Sequence, residues 1–97
     1  MAKFGEIISN NKPVLIDFYT DLNPLDSTVE MLRHVAAALG DKAKVIKIDI
    51  KDNEILAKAL SIRGNPTFII YKEGVMKWRK TGVQDANTLI GLVKKYL

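Results

Sequence analysis

Thirteen residues, Val14 to Asp26, constrain this chain more than any other stretch: Val14-Leu15-Ile16-Asp17-Phe18-Tyr19-Thr20-Asp21-Leu22-Asn23-Pro24-Leu25-Asp26. They begin as an apolar run rich in β-branched and aromatic residues, the pattern of a strand covered on both faces. They end in residues suited to opening a helix. Asn23 is a natural N-cap, and Pro24 fits the first turn, where its missing N–H costs nothing. Asp26 sets a carboxylate against the positive end of the helix dipole. A buried strand that feeds directly into a helix calls for a crossover and a second parallel strand.

The flanking sequence supplies both. The pattern predicts a short helix over Ala2 to Ser9, with Phe4, Ile7 and Ile8 on one side, broken by Asn10-Asn11-Lys12-Pro13. From Pro24 the helix should run to Leu39, with Leu25, Val29, Leu32, Ala36 and Leu39 as one apolar stripe and Gly40 as the residue that ends it. Ala43 to Ile50 reads as the second strand. Asp52 is expected to cap a third helix, Asn53 to Leu60, with Ile55, Leu56, Ala59 and Leu60 inward. Ser61 to Pro66 reads as a loop. Thr67 to Tyr71 and Val75 to Thr81 are joined by Lys72-Glu73-Gly74, too few residues for anything but an antiparallel hairpin. Trp78 and Met76 should alternate against Lys77 and Arg79 and pack on one sheet face. Asp85 caps a last helix to Leu97, with Ala86, Leu89, Ile90, Val93 and Leu97 inward.

Length and composition exclude several function classes. Residues 1–97 make one domain, and no apolar run approaches the roughly 20 residues that span a bilayer. With no secretory pattern at Met1 to Glu6, the cytoplasm is the expected location, and a monomer the expected state. The net charge of +4 is spread over the sequence, with small clusters at Lys77/Arg79/Lys80 and Lys94/Lys95. Nucleic-acid binding asks for a concentrated basic patch with stacking aromatics, so a solubilising surface is the better reading. No cofactor is expected, because no Gly-rich phosphate loop, Ser/His/Asp set or zinc spacing occurs. Asp26, Glu30 and His34 recur every four residues on a helix face, but eight residues span about 12 Å. They cannot all hold one ion, and no metal site is expected.

The order α-β-α-β-α-β-β-α, together with five short signatures, resembles the thioredoxin family over essentially the whole chain. The signatures are Asp17-Phe18-Tyr19, Lys44 to Ile50, Ile62-Arg63-Gly64-Asn65-Pro66-Thr67, Lys72-Glu73-Gly74 and Gly82. The resemblance implies a thioredoxin fold of the α/β class: a four-stranded mixed sheet with helices on both faces, lacking the extra N-terminal strand of longer members. It also implies a cis bond before Pro66 and a groove between that loop and the start of the second helix. The family's strand–redox loop–helix reads "VDFYATWCGPCK". Here its Cys-x-x-Cys is Asn23-Pro24-Leu25-Asp26, and Leu22 stands where the family has tryptophan.

That replacement decides the chemistry the resemblance would otherwise imply. In the family, one cysteine attacks a disulfide as a thiolate and the other resolves the mixed disulfide. Neither an amide nor a carboxylate can form or break an S–S bond, and the chain has no cysteine at all. Asn23 and Asp26 are then helix caps. An acid/base role for Asp26 is the sharper alternative, which equal turnover in wild type and Asp26→Ala would end.

What the resemblance leaves is binding: an extended polypeptide held at Leu22, Asn23, Pro24, Leu25, Asp26, Asn65, Pro66 and Gly82 by strand-like backbone pairing. The alternative is a groove that persists because the fold makes one. Asp17 and Lys47 match the family's buried acid and its neighbouring lysine, and are expected as a buried charge pair. Burial should raise the Asp17 pKa, so Asp17→Asn is expected to raise the melting temperature at neutral pH. A clear loss of stability in a thermal melt would contradict this.

Overall fold

The computed structural model describes residues 3–20, 27–63 and 66–97. In chain order these form α1 (Phe4–Ile8), β1 (Val14–Tyr19), α2 (Ser27–Leu39), β2 (Lys44–Asp49), α3 (Glu54–Ala59), β3 (Thr67–Lys72), β4 (Val75–Thr81) and α4 (Ala86–Lys94). The sheet order is β2-β1-β3-β4. β1 runs parallel to β2 and antiparallel to β3, and β3 pairs antiparallel with β4. This is the mixed four-stranded arrangement that the resemblance implies.

The apolar run of β1 is buried because it is central and covered twice. Leu15 packs with Leu32, Val35, Leu39, Phe68, Ile70, Leu89 and Val93 on the side of α2 and α4. Val14, Ile16 and Phe18 pack with Ile69 and Tyr71 on the other side, where α1 and α3 supply Phe4, Ile7, Ile8 and Leu56. Strand periodicity thus splits one run of residues between two cores. Each such side chain contributes about 1.5–3 kcal/mol when fully buried. Phe4 fastens α1 to the sheet, its ring edge-on to Tyr71 at 5.5 Å and tilted against Phe18 at 6.4 Å.

The Tyr71 hydroxyl is buried with no hydrogen-bond partner among the described residues. Burial pushes its phenol pKa up, and the Arg79 guanidinium opposes the rise in part. A buried hydroxyl without a partner costs about 1–3 kcal/mol. Tyr71→Phe, which keeps the ring contact with Phe4, is therefore expected to stabilise the protein by about 1 kcal/mol in urea denaturation. A loss of stability would reveal a bond to the hydroxyl.

Several local expectations need correcting. Val35 is fully buried while Ala36 is exposed, so the α2 stripe runs through Leu32, Val35 and Leu39. Asp52 does not cap α3. It lies in a 3-10 turn, Lys51–Asn53, and Asn53 holds the cap position without a side-chain bond. The cause is Asp49, whose carboxylate accepts from the Lys51 N–H at 2.8 Å and whose carbonyl accepts from Asn53 Nδ2 at 2.9 Å, tightening the chain before the helix begins. Within α3, Ala57 faces the core and Ala59 is exposed, while Ile55 is 88% exposed. Because α4 stops at Lys94, Leu97 lies outside the helix and is exposed.

Trp78 and Met76 do not share a face. A register shift between Ile70 and Tyr71 sets Trp78 opposite Ile70 but Met76 opposite Tyr71, so one faces the α2/α4 side and the other the α1/α3 side. Asp85 does cap α4: its carboxylate accepts from the Thr88 N–H at 2.8 Å and from Thr88 Oγ1 at 3.0 Å. Those two bonds hold its pKa below the ordinary value.

Candidate functional site

Leu22, Asn23, Pro24, Leu25, Asp26 and Asn65 lie outside the described residues, as does the peptide bond before Pro66. The neighbouring described residues show how the fold frames that end of the sheet. Phe18 pairs with Thr67, and Thr67 with Thr81, so the end of β1, the start of β3 and the end of β4 lie side by side. The Gly82 N–H donates to the Pro66 carbonyl at 2.8 Å, and Thr67 Oγ1 meets Thr81 Oγ1 at 3.2 Å. Two of the residues named from sequence, Pro66 and Gly82, are thereby brought together. Gly82 has φ +107°, a conformation that only glycine adopts without strain. Next to it Val83 is 74% exposed, an apolar side chain at the rim that sequence reasoning did not single out.

The other side of the Pro66 loop is held by a residue the sequence reading assigned only to a charged strand face. α3 ends in a Schellman arrangement: Ile62 N–H donates to Ala57 O at 2.8 Å, and Ser61 N–H to Lys58 O at 3.1 Å. The left-handed position falls on Ser61, at φ +55°, where glycine is usual. A side chain there costs about 1–2 kcal/mol. Arg79, from β4, compensates. Its guanidinium donates from Nη2 to the Ser61 carbonyl at 2.7 Å and from Nη1 to the Leu60 carbonyl. β4 therefore grips the chain on both sides of the 62–66 loop, through Arg79 before it and Gly82 after it. A serine where the helix should end in glycine was the available signal that something else secures this turn.

Asp17 and Lys47 are register partners across β1 and β2. Asp17 is completely buried, whereas Lys47, on an edge strand, is exposed. The desolvation cost of this position thus falls on the carboxyl side chain. Glu30 and His34 are both exposed on α2, and Glu30 pairs with Arg33 at 3.3 Å. No group of metal-ligating side chains converges among the described residues. No described helix is long and apolar enough to cross a membrane.

Comparison with known proteins agrees with this geometry. The chain is 39% identical over 98 residues to the chloroplastic thioredoxin Y of Oryza sativa, a match that takes in 99% of this chain but 58% of the rice protein's length. Among solved structures, a variant thioredoxin of Halobacterium salinarum superposes with a TM-score of 0.74 at 35% identity, covering 94% of this chain and 82% of its own. The malaria-parasite thioredoxin-2, described as a component of the parasite's protein secretion machinery, superposes with a TM-score of 0.80 at 27% identity, over 88% of this chain and 84% of its own. The Thioredoxin family model matches residues 1–95. By sequence and by fold, the chain belongs to the thioredoxin family, and it does so with no cysteine of its own.

Proposed function

We propose that this protein is a redox-inactive polypeptide-binding or assembly module that works through the groove where its family carries out thiol chemistry. The observation that carries the reading is the bond from Gly82 N–H to Pro66 O at 2.8 Å. It maintains the frame of the groove in a chain that has no thiol for the groove to serve. Recognition would combine backbone pairing beside Pro66 with apolar contact at Leu22, Leu25 and Val83. The malaria-parasite relative supports the idea that a member of this family can serve as a component of a larger machinery.

The test is site-specific crosslinking in lysate of the native host, with a photo-reactive residue in place of Leu22. A parallel sample carries Asn65→Arg to obstruct the groove. Crosslinked partners that disappear in the obstructed sample support groove binding and name the client. Partners retained in both samples would move the function to the outer helix faces.

A further inference from the structure

Among the described residues the sheet ends at β2, which pairs with β1 alone, and charged residues recur along that edge. Lys44 N–H donates to Pro13 O and Ile50 N–H to Tyr19 O, so the backbone groups of the alternating residues Val45, Lys47 and Asp49 face outward. Beside this edge, on the α1/α3 side, lies a hollow of about 460 Å³ lined chiefly by Phe4, Ile7, Tyr19, Ile46, Ile48 and Leu56. Lys47, Asp49 and Asn53 add polar groups to its wall, and Ile46 and Ile48 are only half-buried although they pack against the α1/α3 core. Exposed strand edges of this kind recruit further strands.

Charge identifies the strand that fits. Within β2, Lys44 and Lys47 come first and Asp49 last, while Asp41 with Lys42 before the strand and Lys51 with Asp52 after it are each a pair of opposite charges. At the acidic end of the strand, burial pushes the Tyr19 phenol pKa up, and the carboxylates of Asp49, Asp17 and Asp52 add to the rise. A strand that is basic at one end and acidic at the other is complementary to itself when reversed. We infer that β2 is a homodimer interface, at which two copies of this chain pair antiparallel about a two-fold axis through Ile48.

Only some registers are open to such a pair. The two-fold axis sets one residue against its own copy, so the faces of the two sheets stay continuous. Centred on Lys47, the pairing would oppose two ammonium groups. With Ile46 at the centre, Lys47 faces Val45 and gains nothing. Centred on Ile48, Lys47 of each copy faces Asp49 of the other, and these are residues whose backbone groups already point outward. Ile46, Ile48 and Ile50 then meet their counterparts on the apolar side. The Asp49 carbonyl already accepts from Asn53 but keeps a second lone pair for the partner's Lys47 N–H. Edge lysines commonly guard a strand against pairing. Here Asp49, two residues on, supplies the counter-charge that turns the guard into a register lock. The dimer leaves Pro66 and Gly82 uncovered, so it does not depend on the groove reading.

Sedimentation equilibrium of the full chain, from low-micromolar to millimolar concentration, is the test. The wild type is expected to dimerise reversibly, more weakly at high salt. Lys47→Glu alone would set like charges opposite each other and should weaken association by at least about tenfold. Lys47→Glu with Asp49→Lys restores opposite pairs and should recover the dimer, whereas a non-specific effect of charge would not be rescued. Thermal melts check that each variant folds, above all the double variant, because Asp49→Lys also removes the carboxylate that accepts from the Lys51 N–H. A wild type that is monomeric at every concentration overturns the inference and leaves the edge to solvent or to another protein's strand. A dimer indifferent to Lys47→Glu overturns it equally.

Discussion

Arg79→Ala is expected to destabilise the protein by about 2–3 kcal/mol, a large loss for a domain of this size. Two charge-assisted bonds disappear, and with them the support for a left-handed serine. The Leu60 and Ser61 carbonyls remain behind. Ser61 and the Nη2 bond are exposed, so water recovers part of the loss, whereas the bond to Leu60 is partly buried and is not so easily replaced. The fall in melting temperature should be on the order of 10 °C. Ser61→Gly offers the distinguishing control. Glycine removes the backbone strain without touching the guanidinium, so it should stabilise wild type and recover part of the loss in Arg79→Ala. If Arg79→Ala melts within a degree or two of wild type, the two bonds do not hold the turn. Hydrogen exchange at the Ile62 amide, which closes the α3 terminus, would report the same loosening locally.

Features governed by short-range chemistry could be read directly. Asp85 is an N-cap because an aspartate before an amphipathic run has few better uses. The antiparallel hairpin was read from Lys72-Glu73-Gly74; Lys72 belongs to β3, and the remaining two-residue turn puts Glu73 and Gly74 at positive φ, +53° and +80°. The apolar run of β1 announced a strand buried on both faces, and it is.

What escaped the reading depends on register and on partners distant in sequence. A single extra residue at the Ile70/Tyr71 shift turns Met76 away from Trp78, and alternation in the sequence cannot reveal where it falls. The choice of Val35 over Ala36 turns on where α4 lies against α2, since both positions satisfy helical spacing. Arg79 looked like one of several surface cations until the fold brought Leu60 and Ser61 within its reach. The candidate site divides in the same manner. Pro66 and Gly82 were named through the family resemblance of their short motifs, whereas the bond between them and the grip of β4 on the 62–66 loop could not be read.

Returning the two thiols should give the largest change in activity. Asn23→Cys with Asp26→Cys is expected to turn a chain that cannot exchange disulfides into one that reduces them, measured by insulin reduction with dithiothreitol as electron donor. Residue 26 directly precedes Ser27, where the described part of α2 begins, and residue 23 comes three positions earlier in the sequence. A thiol at a helix start or in Cys-x-x-Cys has its pKa lowered from about 8.5 towards 7. The thiolate fraction at neutral pH then rises from a few per cent to about half, an increase on the order of tenfold. Asn23→Cys alone attacks a disulfide but cannot resolve the mixed product, so it should trap substrate without turning over. If the double variant folds and remains inactive, the replacements around the site become the cause to pursue, and adding Asn65→Val to restore an apolar residue before Pro66 is the next step. Activity after that third change would assign the loss of function to Asn65 as well as to the missing thiols. Activity in the double variant would place the whole loss at positions 23 and 26, in a scaffold whose groove still accepts extended polypeptide.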